Sequence, residues 1–432
     1  MADKSGRLSC EDKETATEGN EKDHSTRRVN TGITAESLYL TLAMWMEMFP
    51  EQCTSLGDSL SSDLTKEADK STDFYRKIGC VLVQQNASFV AVDWSRDGVH
   101  GLARMLVKHH GKTTGCSVFV SRKPCTYCAK LLVKAGVIAV SYPPVEPEFL
   151  NSKEEKRVGI LFDAGGITQN IFVPQIRTDL VTMAEEELVA QGISLNDIRE
   201  YTEKVLRRFW SEDYVKRMSG DITKQTYSEF ENFVKWLVRI YIPLERSKFR
   251  CFSSTGEPAT EEKIIRNFDP ENNKYQEQIA KHLLGLAAMT IQRTVEPKTG
   301  VGCVILKDHD IVAVGWNDFP SNIIEEDFHN ASDQERDKRY PFFVHAEQNA
   351  LLMRNTTDVT GGIIFVTKTP CHECTPLVKL SGIGTVVLAN KLEPIKERYR
   401  LNYEVFQEEV EKRSFLCFEM IKIQDWKCIH VN

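Results

Sequence analysis

The chain has 432 residues, 41% hydrophobic and 27% charged, with 55 basic against 62 acidic side chains and a net charge of −7. That length suits two domains plus connections rather than one core, and no apolar run approaches the roughly 18 residues that would suggest a membrane span. The acidic balance argues against a protein that coats polynucleotides, which ordinarily presents a basic surface.

In chain order, residues 1–32 are polar and lack the apolar core of a signal peptide, so a disordered tail is expected. The protein is therefore expected in the cytoplasm, with the nucleus as second compartment. There its 12 cysteines stay reduced, and paired cysteines point to metal or catalysis rather than disulfides. "LYLTLAMWMEMF" (38–49) reads as a core helix. The runs 78–83, 89–93 and 116–120 are short, β-branched and apolar, as strands of a covered sheet are. "KPCTYC" (123–128) then opens a stretch, 126–135, with helical spacing. Residues 147–270 carry amphipathic segments such as "NDIREYTEKVLRRFW" and read as a helical connector packed on the domains, too apolar for a floppy linker. "FSSTGEPAT" (252–260) is its candidate joint. "YQEQIAKHLLGLAAMTIQR" (275–293) is an amphipathic helix opening the second domain. Strands follow at 301–306, 311–316 and 363–366, and a helix at 372–380.

The two halves repeat. "KIGCVLV" (77–83) matches "GVGCVIL" (300–306), "FVAVDWS" (89–95) matches "IVAVGWN" (311–317), and "SRKPCTYCAKLLVKAGV" (121–137) matches "TKTPCHECTPLVKLSGI" (367–383). The spacing holds register: Cys80 to Cys303 is 223 residues, while Cys125 to Cys371, Cys128 to Cys374 and Gly136 to Gly382 are each 246. This places two copies of one α/β sandwich, at 33–146 and 271–432, on either side of the connector. The second copy has about 22 extra residues before its histidine, close to "DFPSNIIEEDFHNASDQERDKRYPFFV".

The second copy carries the chemistry. "VHAEQNALL" (344–352) and "TPCHECTPL" (369–377) offer His345, Cys371 and Cys374 as zinc ligands. Three protein ligands leave one tetrahedral position for water, the arrangement of catalytic zinc, and zinc makes hydroxide available near neutral pH. Cysteines on the first turn of a helix are favoured as thiolates. Glu347 follows His345 by two positions, which share one side only at a helix start; there it can move the proton between water, the substrate's ring nitrogen and the departing ammonia. His-x-Glu with Pro-Cys-x-x-Cys is the signature of zinc nucleobase deaminases. A redox Cys-x-x-Cys leaves the histidine and glutamate unexplained, and a structural zinc site wants a fourth protein ligand.

With these blocks in place, the chain resembles the cytidine deaminase-like superfamily, and within it the deoxycytidylate deaminase branch. "GWNDFP" (315–320) is similar to that branch's Gly-x-Asn-x-x-Pro loop, and "RYPFFVHAEQNA" (339–350) to its Tyr-Pro-x-x-x-His-Ala-Glu-x-Asn-Ala block. The resemblance covers roughly 70–145 and 275–395 and implies two three-layer α/β/α sandwiches of that superfamily's type. It implies His345, Cys371 and Cys374 as zinc ligands, Glu347 as proton donor, and Asn317, Asn349 and Tyr340 as substrate contacts. Turn and helix capping is the plainer reading of the two asparagines. The resemblance also implies that the insertion seats a nucleotide effector or a further metal, with His329 as candidate ligand. Arg336, Lys338 and Arg339 are the insertion's phosphate-binding candidates against a solvated charged face.

The function expected is hydrolysis of free cytidine, deoxycytidine or their nucleotides, dCMP or dCTP favoured, to the uracil product. The alternatives are a polynucleotide cytidine deaminase, which usually needs a basic groove and stacking aromatics, and a non-enzymatic nucleotide-binding scaffold. Family likeness also implies a homo-oligomer.

In the first copy, "GVHGLARML" aligns with "FVHAEQNAL": His100 faces His345, Leu102 faces Glu347 and Arg104 faces Asn349. His100, Cys125 and Cys128 remain a zinc triad, while loss of the carboxylate removes roughly 10²–10⁴ in rate. The first copy is read as a retired active site holding one non-catalytic zinc, structural or regulatory in role.

Overall fold

The computed structural model describes residues 33–51, 75–84, 89–176, 178–217, 221–252, 268–294, 300–320, 342–390 and 403–421. The tail 1–32, nearly all of the joint at 252–260, and His329, Arg336, Lys338, Arg339 and Tyr340 lie outside the described residues.

The first copy runs α1 (Ala35–Glu47), β1 (Gly79–Val83), β2 (Phe89–Trp94), α2 (Gly101–Lys108), β3 (Ser117–Val120), α3 (Thr126–Lys134), β4 (Ala139–Tyr142), α4 (Ser152–Gly165) and β5 (Thr168–Ile171). Its sheet has the order β2-β1-β3-β4-β5. β1 is antiparallel to β2 and β3, and β3, β4 and β5 are mutually parallel. The connector then supplies α5 (Thr178–Ala190), α6 (Leu195–Phe209), α7 (Glu212–Arg217), α8 (Asp221–Glu245) and β6 (Lys248–Cys251). The second copy repeats the first as α9 (Lys274–Thr290), β7 (Gly302–Lys307), β8 (Asp310–Trp316), α10 (Ala346–Leu352), β9 (Ile363–Val366), α11 (Cys374–Leu380), β10 (Thr385–Leu388), α12 (Glu404–Glu411) and β11 (Leu416–Ile421). Its sheet is ordered β6-β11-β10-β9-β7-β8, with β6 antiparallel to β11 at the edge.

The boundary expected at residue 146 needs correction. α4 and β5 fall in the stretch read as helical connector, yet β5 pairs with β4 and Phe162 of α4 is buried in the first copy's core. β6 likewise belongs to the second sheet.

Period-two alternation divides each sheet between two cores, as the pleat requires. Cys80, Leu82, Val118 and Val120 face a core roofed by α2, α3 and α4, while Val81, Val83 and Phe119 face the other way. Cys303, Ile305, Ile364 and Val366 face a core that includes Ala346 and Ala350 of α10 and Phe406 of α12, while Val304, Leu306 and Phe365 face away from it. Both outward sets join one shared core with α1, α9 and the connector's Phe209, Phe230 and Phe233. Each copy is thus a three-layer α/β/α sandwich whose third layer merges with its neighbour's. The repeat-related Gly79 and Gly302 permit the helix–strand approach: a Cβ would overlap the carbonyl oxygen of Ala43 in α1 or of Ala287 in α9.

β2 lies against β8 where the copies meet. Lys108 bonds both Asp93 (2.8 Å) in its own copy and Asp310 (2.7 Å) in the other, and Arg96 also pairs with Asp310.

Candidate active site

His345 is the N-cap of α10, in extended backbone conformation (φ −70°, ψ 157°), and its N–H donates to Gln348 Oε1 at 3.0 Å. The chain enters the helix at this point, so Glu347, the second helical residue, stays on the histidine's side. Across from it, Cys371 precedes α11 and Cys374 is that helix's first residue. The bond from Thr375 N–H to the Cys371 carbonyl (2.9 Å) closes the turn holding both thiols. His345 Nδ1 stands 3.3 Å from each sulfur. Zn–S of about 2.3 Å and Zn–N of about 2.0 Å at the tetrahedral angle put N and S roughly 3.5 Å apart. The three donors therefore fit a zinc ion, with Nδ1 as the ligating nitrogen.

Glu347 is only 4% exposed. Burial, then the nearby Cys371 charge, push its carboxyl up to about 7. The hydrogen bond from Cys374 draws Cys371 down to about 4 against burial, with His345 assisting. Burial works against a charged His345 ring, and the bond and charge of Cys371 outweigh it, so His345 lies above its usual range. A buried carboxyl able to hold or release a proton near neutral pH, beside a triad of metal ligands, is equipped for general acid–base work.

The two asparagines are placed at the β8–α10 corner. Asn317 Oδ1 accepts from Val301 N–H (2.9 Å), and Asn349 Nδ2 donates to the Trp316 carbonyl (2.9 Å). The stem of the insertion is clamped beside them by the reciprocal Asp318–Val344 bonds (3.1 and 2.8 Å) and the stacked rings of Phe319 and Phe343 (4.6 Å).

The first copy brings the same triad together: His100 Nδ1 lies 3.6 Å from Cys125 Sγ and 3.4 Å from Cys128 Sγ. Leu102, in Glu347's position, is fully buried in the apolar core. Sequence reasoning missed a fourth residue here, Glu148, whose Oε1 is 2.6 Å from His100 Nδ1. Nothing in the motif spacing points to it; its only signal is an acidic residue embedded in the stretch "YPPVEPEFL". Among the described residues, the ligand group at the second site, His345, Cys371 and Cys374, contains no carboxylate.

An α/β/α sandwich with a histidine–glutamate pair at one helix start and two cysteines at another defines a zinc-dependent deaminase. Residues 276–390 match the family model described as the cytidine and deoxycytidylate deaminase zinc-binding region. The cytidine and dCMP deaminase domain-containing protein 1 of Danio rerio is 23% identical over 437 residues, 86% of each chain. A probable deoxycytidylate deaminase of Caenorhabditis elegans is 31% identical over 143 residues, 32% of this chain and 73% of that protein. Among solved structures, the dCMP deaminase of cyanophage S-TIM5 in complex with dCMP and dUMP aligns with 33% of this chain and 96% of its own, at 23% identity and a TM-score of 0.26. The chain belongs to the cytidine and deoxycytidylate deaminase family. No helix among the described residues is long and apolar enough to cross a membrane.

Proposed function

We propose that the second copy hydrolyses the amino group of free cytosine nucleosides or nucleotides, with dCMP or dCTP favoured, releasing ammonia and the uracil product. The observation carrying this reading is the buried Glu347 beside His345, Cys371 and Cys374, set against Leu102 in the corresponding place of the first copy. Bound at the triad, zinc supplies a water acidified to near neutrality as nucleophile. Glu347 takes one proton of the attacking water and passes it to the substrate's ring nitrogen, then takes the remaining proton of the resulting hydroxyl and delivers it to the departing amine, which leaves as ammonia. Burial suits it to both halves of that shuttle, since its carboxyl sits at about 7. Asn317 and Asn349 stand at the β8–α10 corner, where the Asn317 amide nitrogen and the Asn349 amide oxygen are offered to a sugar. The deoxycytidylate deaminase relatives and the net charge of −7 support a free nucleotide over a polymer. The first copy is non-catalytic, with a zinc ion at His100, Cys125 and Cys128, and the full chain self-associates, which its mass in solution will read.

The test incubates purified protein separately with cytidine, deoxycytidine, dCMP, dCTP and single-stranded DNA and measures ammonia and uracil product. Turnover of free nucleotide, lost on the order of 10²-fold or more in Glu347→Ala with zinc retained, is expected. Turnover of the polymer alone, or an active Glu347→Ala, overturns the reading.

A further inference from the structure

We propose that the first copy is a closed zinc centre in which Glu148 is the fourth ligand, holding the tetrahedral corner that a hydrolytic zinc leaves to water. This rests on the reading of the first copy as a non-catalytic zinc-holding domain.

Ligand atoms of His100, Cys125, Cys128 and Glu148 all lie within 4.8 Å of one another. Glu148 is 1% exposed. Its Oε1 stands 2.6 Å from His100 Nδ1, the nitrogen that also faces both sulfurs, and 3.9 Å from Cys128 Sγ. The carboxylate is therefore on the metal side of the triad and not at the helix start where a proton shuttle belongs; it stands at hydrogen-bond distance from Nδ1, and a zinc held by both would part the two atoms to roughly 3.3 Å. Its other oxygen accepts from Cys125 N–H at 2.7 Å, which fixes its orientation. Rings pack beside the histidine: Tyr75 and Tyr127 meet the His100 ring at 5.1 and 5.2 Å, and Phe149 stacks on Tyr75.

The backbone holds this arrangement in advance. Glu148 N–H donates to the Lys123 carbonyl (2.9 Å), and its own carbonyl accepts from Arg76 N–H (2.7 Å). Two residues earlier, the Glu146 carbonyl accepts from the buried Arg122 guanidinium (2.8 Å), which also grips Glu47 at the end of α1. A ligand whose loop is fastened at both sides needs little reorganisation to bind. Two thiolates, an imidazole and a carboxylate make a closed tetrahedral set for zinc, the hallmark of a structural site. In sequence, "VEPE" (145–148) is similar to "LEPI" (392–395), which carries Ile395 at the place of Glu148 but sits one residue off the 246-residue register and outside the described residues. Among the described residues, the ligand group of the second copy, His345, Cys371 and Cys374, contains no such carboxylate.

The test uses the full chain with Cys371→Ser and Cys374→Ser, which empties the second site, loaded with Zn²⁺ or with Co²⁺ as a spectroscopic probe. About one metal per chain is expected, with two sulfur and two nitrogen or oxygen ligands by X-ray absorption. Glu148→Gln should weaken zinc binding on the order of 10–100-fold, and Glu148→Cys should restore it with a thiolate-to-cobalt band about 1.5-fold stronger. If the serine variant does not fold, Glu148→Cys in the otherwise unaltered chain should raise the average sulfur count per metal from about 2 to about 2.5. Metal bound with unchanged spectrum and affinity in both Glu148 variants overturns the fourth ligand alone, leaving Glu148 as a charge partner of His100. No metal in a folded second-site variant overturns the zinc reading of the first copy together with this proposal. Neither result bears on catalysis by the second copy, which the substrate panel decides.

Discussion

One pair of equivalent positions separates the two copies chemically. Glu347 is a buried carboxyl held at about 7 among polar neighbours, whereas Leu102 is wholly buried against carbon. Restoring the motif by Leu102→Glu therefore places an unpaired acid in an apolar core, a change worth about 2–4 kcal/mol of stability. In a Glu347→Ala background we expect that variant to melt lower and to release no ammonia, because the water position is also taken by Glu148; ammonia above the Glu347→Ala baseline would refute this. The grouping of His345, Cys371 and Cys374 with Glu347 beside them was legible in the sequence because short-range rules set it: Cys-x-x-Cys fills one turn, and His-x-Glu converges only at a helix start. Glu148 was illegible for the opposite reason. It reaches His100 through a 48-residue separation set by β3, β4 and the loop between Tyr142 and Ser152, which no local pattern encodes.

At the scale of elements, the copies differ most in what joins their second strand to the site helix. In the first copy Arg96 and Val99 pair across Asp97 and Gly98, both with positive φ (54° and 71°), a tight Asp-Gly turn. In the second, Asp318 and Val344 form the same bridge across residues 319–343. The register jump seen in the sequence is thus an exchange of a two-residue turn for a long insertion on an unchanged stem. Replacing 319–343 with Asp-Gly should leave zinc content intact and change stability by no more than about 2 kcal/mol, since loop closure costs about 0.6 kcal/mol per doubling of length and the gain is offset by loss of the Phe319–Phe343 stack. Deamination of a nucleotide should fall on the order of 10-fold or more in kcat/KM if the insertion rims the substrate site. Unchanged kinetics would assign the insertion to another task. The sequence showed this loop but not α4, β5, α12 or β11. β5, "TQNI", is an edge strand with mostly exposed side chains, so it lacks the apolar alternation that reveals strands.

Across the whole molecule, the connector does not separate the copies but completes a core common to both, and Trp45 and His282 sit at its centre. Trp45 of α1 stacks on the His282 ring of α9 at 4.9 Å and donates its indole N–H to the His282 carbonyl at 2.9 Å. Phe49 packs against the same ring at 5.0 Å and stacks on Trp94 at 3.9 Å. Burial, and secondarily the charge of Arg208, lower the His282 pKa to about 3, so the folded protein keeps it neutral. Unfolded, the same side chain titrates near 6.5. Below that pH the unfolded chain binds a proton that the folded chain refuses, so stability is lost as pH falls from about 6.5 towards 3, at about 1.4 kcal/mol per unit. Going from pH 7 to pH 5 should thus remove about 2 kcal/mol through this one residue. His282→Phe keeps a ring between Trp45 and Phe49 and abolishes the titration. Thermal unfolding of both proteins at pH 7 and pH 5 should show a smaller acid-side loss in the variant, whatever its stability at pH 7. Equal losses would mean that water reaches His282 in the folded state and that the joint between the copies is wetter than its packing indicates.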